Sequence, residues 1–224
     1  YGAFCFTLPS TPPKQDAVEK LAYKKAFELF KITSFAVLVI ASLAISIIHQ
    51  IYFLQTGPFL SHIGIPDSQI GPAMTIGQFA EIFTMFYLGY FLKRIGFHKV
   101  ISIGVAAYFL RYAIFGTEVF PVWVIIVSQA LHGFCYAFFF AAAFIYVDKL
   151  ADKDVRHSAQ TVFGIIIFGG GPVIGGWLSG YLQNMYTSDN IFDYSKFWYT
   201  LSAIGFITLI FFYLTFKNKL SERN

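Results

Sequence analysis

Six apolar runs, each long enough to cross a lipid bilayer as a helix, occupy most of this 224-residue sequence. A bilayer core is about 30 Å thick and an α-helix rises about 1.5 Å per residue, so roughly 20 apolar residues span it. Only 12% of the residues are charged, against about 25% in an average soluble domain. Continuous apolar runs favour helices over membrane β-strands, which alternate apolar and polar residues. The sequence therefore predicts an all-α integral membrane protein built as a six-helix transmembrane bundle.

Short polar segments separate the runs and set the predicted organisation. The predicted spans cover about residues 33–54, 70–92, 100–116, 122–147, 158–184 and 197–216, with loops over 55–69 and 93–99 among those between them. Residues 1–9 are an apolar stub too short to span, and we expect them to be the tail of a preceding transmembrane helix of a longer protein. Residues 10–32 are predicted to be a connector, because Pro12 and Pro13 cannot continue a helix. Residues 217–224 form a polar tail.

Lysine and arginine fall almost entirely on one side of the predicted bundle. Fourteen of the sixteen lie in the connector, the loops 93–99 and 148–157, and the tail. The other two are Lys196, in a loop on the opposite side, and Arg111, inside a span. Because short loops rich in Lys and Arg remain in the cytoplasm, we expect both ends of the chain there, in an inner or plasma membrane. These residues belong to membrane loops, so nucleic acid is not an expected partner.

The span 70–92 contains two strongly polar side chains, Gln78 and Glu81. Glu81 lies at its centre, where an ionised side chain costs roughly 2.5 kcal/mol or more. Residues three apart lie on one face of a helix, so both side chains share a surface. They either join helices through polar contacts or line a path for a substrate or a proton. We favour the second reading, with both residues binding substrate and Glu81 as the proton-coupling candidate.

Another polar stripe lies in the span 122–147. Gln129, His132 and Tyr136 recur at helical spacing, so an amide, an imidazole and a phenol face the same way. The stripe is either an interior histidine within an aromatic packing face or the wall of a pocket for a flat ligand. We predict His132 and Tyr136 as substrate-binding residues. Three residues of the first span are candidates for a third wall: His49, Gln50 and Tyr52.

Arg111 and a glycine-rich stretch are predicted to be structural. Arg111 is expected to form an ion pair with Glu81 or to bond helix carbonyls, with a role in coupling as the alternative. In the fifth span, Gly171-x-x-x-Gly175 and Gly176-x-x-x-Gly180 place small residues four apart, which lets two helices approach closely. Pro172 frees a backbone carbonyl within the same stretch. We predict a packing or hinge element there.

Enzyme chemistry has no support in the sequence. We find no nucleophile–base arrangement and no metal-ligand spacing, and the glycine-rich stretch lacks the Lys-Ser/Thr pair of a phosphate-binding loop. Cys5 and Cys135 lie in apolar stretches and indicate neither a disulfide framework nor a metal site. We therefore expect neither an enzyme nor a protein that needs a metal or a cofactor.

The organisation resembles the carboxy-terminal half of a major facilitator transporter. Such a half has six spans with both ends inside, preceded by another helix and a long basic connector. The stretch 89–99 (GYFLKRIGFHK) is similar to the superfamily's G-x-x-x-D-R-x-G-R-K loop. It departs at Lys93, where the motif has Asp, and at Phe97, where the motif has a basic residue.

More closely, the chain resembles the nucleoside–proton symporter family of that superfamily. The stretches that carry the resemblance are FTLP (6–9) with TPP (11–13), Gln78-x-x-Glu81 with IF (82–83), LRY (110–112) and HGFCYAFF (132–139). The resemblance covers essentially the whole chain, which would be about half of a family member. It implies nucleoside uptake driven by the proton gradient, through alternating access between two six-helix halves in a lipid bilayer. An amino-terminal half would then be a partner of this one.

The family also suggests roles for single residues. Gln78 and Glu81 would bind the nucleoside, and Tyr136 would face it, with His132 one turn earlier. The family usually has Asp immediately after that aromatic residue, where this sequence has Ala137. Either Glu81 alone handles the proton, or the substrate or the coupling differs. The alternatives are a transporter for another small polar solute, such as a sugar, and a receptor that binds without transporting.

Overall fold

The computed structural model describes residues 2–9, 26–117, 119–218 and 220. Five long helices follow one another: α1 (Thr33–His62), α2 (Asp67–Gly116), α3 (Val122–Leu150), α4 (Arg156–Met185) and α5 (Tyr194–Thr215). Each is long and apolar enough to cross a membrane. A short helix, Gly2–Cys5, and a 3-10 helix, Leu29–Lys31, precede them. Most of the predicted connector (10–25) and of the predicted tail (219 and 221–224) lie outside the described residues.

Helix α2 consists of two antiparallel arms, residues 67–95 and 97–116. Gly96 separates them with φ 76° and ψ 168°, a backbone conformation that glycine adopts at no steric cost. Both arms meet the same turn of α3. The ring of Phe91 lies 5.2 Å from that of Phe138, and a Cβ on Gly104 would lie 2.7 Å from the backbone nitrogen of Phe139. Because the chain reverses at Gly96, the five helices provide six membrane-length segments, as predicted.

Two predicted loops are wrong in extent. The chain is helical on both sides of Gly96, so the loop predicted over 93–99 reduces to the reversal itself. The loop predicted over 55–69 is shorter too, because α1 continues through Pro58 to His62. Thr56 donates to the carbonyl of Tyr52 at 2.6 Å, and the ring of Phe59 lies 5.2 Å from that of Phe115. Packing of this turn into the bundle offsets its helix-breaking residues.

Helices α1 and α4 pack closely, as the glycine spacing predicts. A Cβ on Gly171 would overlap the side chain of Ser46, and one on Gly175 would lie 2.8 Å from the carbonyl oxygen of Ile47. The packing role of Gly171 and Gly175 is therefore confirmed. The second glycine pair differs, since a Cβ on Gly176 or Gly180 would meet nothing within 4 Å in the described part of the chain.

A π-helical segment, Ile165–Gly170, precedes Pro172 in α4. The N–H of Gly171 bonds to the carbonyl of Ile166, and Pro172 has no N–H. The carbonyl of Ile167 therefore lacks both its α-helical and its π-helical donor. Ser46 of α1 supplies the missing bond, with Oγ 2.5 Å from that oxygen. The irregular turn of α4 is thus tied to α1.

A two-stranded hairpin connects α4 to α5. Strand β1 (Thr187–Ser188) pairs antiparallel with β2 (Ile191–Phe192) across two residues of positive φ, which is the backbone of a type I′ turn. Asp193 then caps α5, because its carboxylate accepts from the backbone N–H of Lys196 at 2.9 Å. The hydrogen bonds to the Lys196 side chain and backbone hold the pKa of Asp193 below its usual value.

Candidate functional site

His132 lies in the most irregular part of α3. The backbone N–H groups of four residues bond to the carbonyl three residues earlier rather than four: Gln129, Ala130, His132 and Gly133. A π-helical segment, Cys135–Ala141, follows directly. Tight 3-10 turns and π-segments within a helix frequently mark hinges or functional sites. The backbone therefore singles out this part of α3 before any side chain is considered.

Two glycines bring α3 against the first arm of α2. A Cβ on Gly133 would lie 2.6 Å from the carbonyl oxygen of Ala80, and one on Gly77 would lie 2.9 Å from Cβ of His132. Without side chains at these positions, the two backbones come together. His132 Nε2 then lies 3.9 Å from Glu81 Oε2, which is too long for a hydrogen bond but close enough for an ionic interaction.

Arg111 reaches His132 from the second arm of α2. Its Nη1 lies 3.0 Å from His132 Nδ1. Because a guanidinium only donates hydrogen bonds, Nδ1 is the acceptor, and a neutral His132 carries its hydrogen on Nε2, the atom that faces Glu81. Three helical segments thus contribute, in this order, a cation, an imidazole and a carboxyl group.

Aromatic rings rather than carboxylates surround Arg111. The side chain is fully buried, and its guanidinium carbon lies 3.8 Å from the ring centre of Tyr52, 5.3 Å from Tyr112 and 5.9 Å from Tyr108. The faces of aromatic rings stabilise a cation. In the described part of the chain, Arg111 Nε and Nη2 have no hydrogen-bond partner. The predicted direct ion pair between Arg111 and Glu81 is therefore wrong, because His132 lies between the two side chains.

Helix α1 adds an aromatic wall beside His132. The ring of His49 lies parallel to the imidazole at 5.6 Å, that of Tyr52 is close to parallel at 5.5 Å, and Phe53 presents an edge at 5.8 Å. The hydroxyl of Tyr52 donates to Gln129 Oε1 at 3.0 Å. Two of the three candidates for a third wall, His49 and Tyr52, thus lie against His132.

The remaining predicted residues occupy different surroundings. Tyr136 is half-buried, with its ring 6.5 Å from His49 and 5.8 Å from Phe140. Gln78 is exposed and makes no hydrogen bond within the described ranges. The Glu81 side chain is 26% exposed, so the cluster reaches the surface of the bundle on that side. Gln50 faces α4 instead, where its Cβ would lie 3.0 Å from a Cβ on Gly175.

Three residues of the cluster escape the sequence reasoning: Phe53, Tyr108 and Tyr112. Tyr108 Oη lies 2.8 Å from His49 Nδ1, and Tyr112 donates to the carbonyl of Ile48 at 2.9 Å. A signal for both was present, because Tyr108, Arg111 and Tyr112 are spaced so that they share one helix face. A cation flanked by two tyrosines on that face indicates a buried cation–π cluster.

The chemistry of the cluster suits a flat polar ligand. Glu81 offers oxygens that accept hydrogen bonds, Gln78 offers an exposed amide, and the rings of His49, Phe53 and Tyr136 offer surfaces on which a heterocycle can stack. The imidazole and the carboxyl group can each bind a proton. Within the described residues, no group of three or more His, Cys, Asp or Glu side chains is arranged to hold a metal ion.

Comparison with known proteins gives a consistent result. The sequence profile of the family described as "Nucleoside H+ symporter" matches residues 1–221. YegT of Escherichia coli (strain K12) is 29% identical over 99% of this chain and 55% of that protein. The nucleoside permease NupG of the same strain is 28% identical over 96% of this chain and 55% of its own length.

A solved structure supports the fold. A crystal structure of the nucleoside transporter NupG matches with a TM-score of 0.82 at 27% identity, over 96% of this chain and 57% of that one. The predicted all-α membrane bundle is thereby confirmed. The chain spans about half the length of the curated relatives it matches.

Proposed function

Because the chain belongs to the nucleoside–H+ symporter family, with the match extending over residues 1–221, we propose that it is the carboxy-terminal half of a transporter that moves nucleosides across a membrane together with protons. The family resemblance found in the sequence is confirmed by this match. An amino-terminal half would complete the transporter, since the relatives are nearly twice as long. In such folds the substrate site lies near the bilayer midplane, between two repeats that rock against each other.

The observation that carries the proposal is the position of Glu81. Its carboxyl group is partly exposed and lies beside His132, next to an aromatic wall formed by α1. The carboxylate would accept hydrogen bonds from ribose hydroxyls or from a base N–H, while the exposed amide of Gln78 would donate to and accept from the base. Tyr136 would contribute a ring for stacking. A sugar site would require more amides and carboxylates than the cluster contains.

Proton coupling is the second part of the proposal. A carboxyl group at membrane depth is stable when a proton or an opposite charge neutralises it, so such groups commonly mark proton paths. Glu81 would take up a proton on the outer side together with the nucleoside and release both inside. The energy of the proton gradient would then drive accumulation of the nucleoside against its own gradient.

We also propose that both ends of this chain face the cytoplasm, which follows from the distribution of Lys and Arg. The geometry supports the grouping of the basic ends. His98 Nε2 lies 3.0 Å from the carbonyl oxygen of Tyr213, and Lys149 Nζ lies 5.7 Å from the ring centre of Phe97. The Gly96 reversal and the ends of α3 and α5 are therefore on one side of the bundle, which would be the cytoplasmic side.

The test is uptake of radiolabelled uridine and adenosine by the complete transporter, expressed in cells without other nucleoside transporters. Glu81→Gln removes the charge while keeping the size of the side chain. Hydrogen bonds to a charged group contribute about 1.5–3 kcal/mol, so we expect uptake to fall at least about tenfold. Asp67→Asn is the matched control, because it neutralises a carboxylate at the exposed start of the same helix and should leave uptake unchanged.

A protonophore separates the two parts of the proposal. Accumulation that the protonophore abolishes supports symport. Uptake of either nucleoside that is indifferent to the protonophore would refute proton coupling and leave facilitated diffusion. No uptake of either nucleoside, by protein shown to be in the membrane, would refute the substrate assignment.

A further inference from the structure

We propose that His132 is a second proton-binding residue of the transporter, and that its protonation transfers His132 from Arg111 to Glu81. The inference rests on the proposed function and deepens it, because it identifies which side chains exchange partners when the proton binds. It assigns Arg111 a role as a positioning residue that holds His132 neutral and in one tautomer.

The distribution of charge in the bundle is the first reason. Among the described residues in the interior of the six membrane segments, Glu81 is the acidic side chain and Arg111 the basic one. They do not contact each other, and the side chain that lies between them is His132. A positive charge on the imidazole would therefore be repelled by Arg111 and attracted by Glu81, whereas the neutral imidazole can accept a hydrogen bond from Arg111.

The hydrogen-bond geometry defines the neutral state. Arg111 Nη1 donates to His132 Nδ1 at 3.0 Å, which requires a lone pair on Nδ1. The hydrogen on the opposite nitrogen, Nε2, faces Glu81 Oε2 at 3.9 Å. This gap is about 1 Å longer than a charge-assisted hydrogen bond. In the neutral state His132 is thus bonded to the second arm of α2 and only close to the first.

A proton added to His132 reverses this preference. The proton goes from water to Nδ1, where it occupies the lone pair that accepted from Arg111, so that hydrogen bond breaks. Two cations then face each other at a distance of 3.0 Å. As long as Glu81 has not taken up its own proton, the imidazolium is attracted to its carboxylate. A movement of about 1 Å toward Glu81 would form a charge-assisted hydrogen bond. The partner of His132 changes from one arm of α2 to the other.

The backbone around His132 is suited to such a movement. Backbone hydrogen bonds of the 3-10 type surround it and a π-helical segment follows, so the regular α-helical bonds are interrupted on both sides. Such segments often act as hinges. The contacts of Gly77 and Gly133 keep α3 against the first arm of α2, the side toward which His132 would move. A short shift of the imidazole would therefore be passed to the backbone of α3.

Other titratable groups face His132 from every neighbouring element. Helix α1 contributes His49 and Tyr52, and the second arm of α2 contributes Tyr108 through its bond to His49. On α3 itself, Cys135 and Tyr136 follow His132 by three and four residues, which is about one helical turn. His49 Nδ1 is hydrogen-bonded to the hydroxyl of Tyr108. Its ring is stacked on His132, whereas the hydrogen bond to Arg111 and the approach to Glu81 are made by His132 itself. His132 is the imidazole that touches both charges.

The experiment replaces the imidazole by an amide. In His132→Gln, the amide oxygen can accept from Arg111 and the NH2 group can donate to Glu81, so the variant imitates neutral histidine but cannot bind a proton. In the complete transporter, we expect uridine uptake by His132→Gln to stay sensitive to a protonophore, because Glu81 still binds a proton. Its dependence on external pH should differ from that of the unmodified transporter, because the contribution of His132 is lost. His98→Gln makes the same exchange outside the cluster and should keep the normal pH profile.

A second variant keeps the proposal testable if His132→Gln does not reach the membrane. Arg111→Gln removes the cation that opposes protonation, so the pH profile of uridine uptake should move to higher pH. An unchanged pH profile of uridine uptake in either His132→Gln or Arg111→Gln would refute the role of His132. Failure of the unmodified transporter to take up uridine or adenosine would instead refute the proposed function, and that measurement is made first.

Discussion

Gly133→Ala should destabilise the bundle at the centre of the candidate site. The added Cβ would lie 2.6 Å from the carbonyl oxygen and the carbonyl carbon of Ala80 and 2.8 Å from the nitrogen of Glu81. The lower limit of ordinary contact is 3.4 Å, so α3 and the first arm of α2 must separate by about 0.8 Å. Because the obstructing atoms are backbone, no side-chain rotation relieves the contact.

The magnitude follows from this separation. Overpacking of this kind costs about 1–3 kcal/mol, and each kcal/mol lowers the melting temperature of a domain of 150–250 residues by about 2–4 °C. Because this shift falls as chain length rises, we expect a loss of about 2–4 °C in the complete transporter, measured by thermal unfolding in detergent. The same separation moves Glu81 away from His132, so uridine uptake should fall as well.

Gly164→Ala is the matched control for this prediction. Its Cβ would lie 3.8 Å from the Phe144 ring, an ordinary contact, and alanine favours a helix over glycine by about 1 kcal/mol. The control should therefore be as stable as the unmodified protein or slightly more so. An unchanged melting temperature for Gly133→Ala would refute the close approach of α3 to the first arm of α2, on which the geometry of the site depends.

Two further predictions concern the ends and the irregular turns of the helices. Asp193→Ala removes the cap of α5 and should cost about 1 kcal/mol of stability, whereas Asp193→Asn keeps most of the cap. Because the pKa of Asp193 is lowered in the folded protein, its charge stabilises the fold above about pH 4, and this stabilisation is lost as the pH falls below that value. The melting temperatures of the unmodified protein and Asp193→Asn should therefore converge at low pH, and a constant difference between them would contradict this. Ser46→Ala leaves the carbonyl of Ile167 without a donor and should cost about 1–3 kcal/mol of stability. The cost should be smaller in a Pro172→Ala background, where the backbone N–H of residue 172 becomes available. A double-mutant cycle of thermal stability measures both costs, and equal values would show that Pro172 does not create the need for Ser46.

The candidate site shows how far helical periodicity leads. Spacing alone places Gln78 with Glu81, and His132 with Tyr136, on common faces. Only the structure shows that His132 lies beside Glu81. Opposite charge suggests Glu81 as a partner of Arg111, with helix carbonyls as the alternative, whereas the structure places His132 between Arg111 and Glu81. Periodicity states which way a side chain points along its own helix but carries no information about which helix lies opposite.

The sequence by itself determined the class of the protein. Apolar runs of about 20 residues require a membrane or an equally apolar interior, and each run satisfies its own backbone as a helix, so the number of membrane-length segments depends only on local sequence. The family motifs are likewise local. These features are readable because each depends on residues that are close together in the chain.

The tertiary structure decided the rest. The close approach at Gly77 and Gly133, the continuation of α1 through Pro58, and the bond from Ser46 to Ile167 all depend on contacts between segments distant in sequence. In a membrane, helix pairing is governed by close packing and a few polar contacts rather than by hydrophobicity, because lipid is as apolar as the helix surface. Hydropathy therefore yields the helices, and only the packed bundle shows that Arg111, His132 and Glu81 form one chain of contacts.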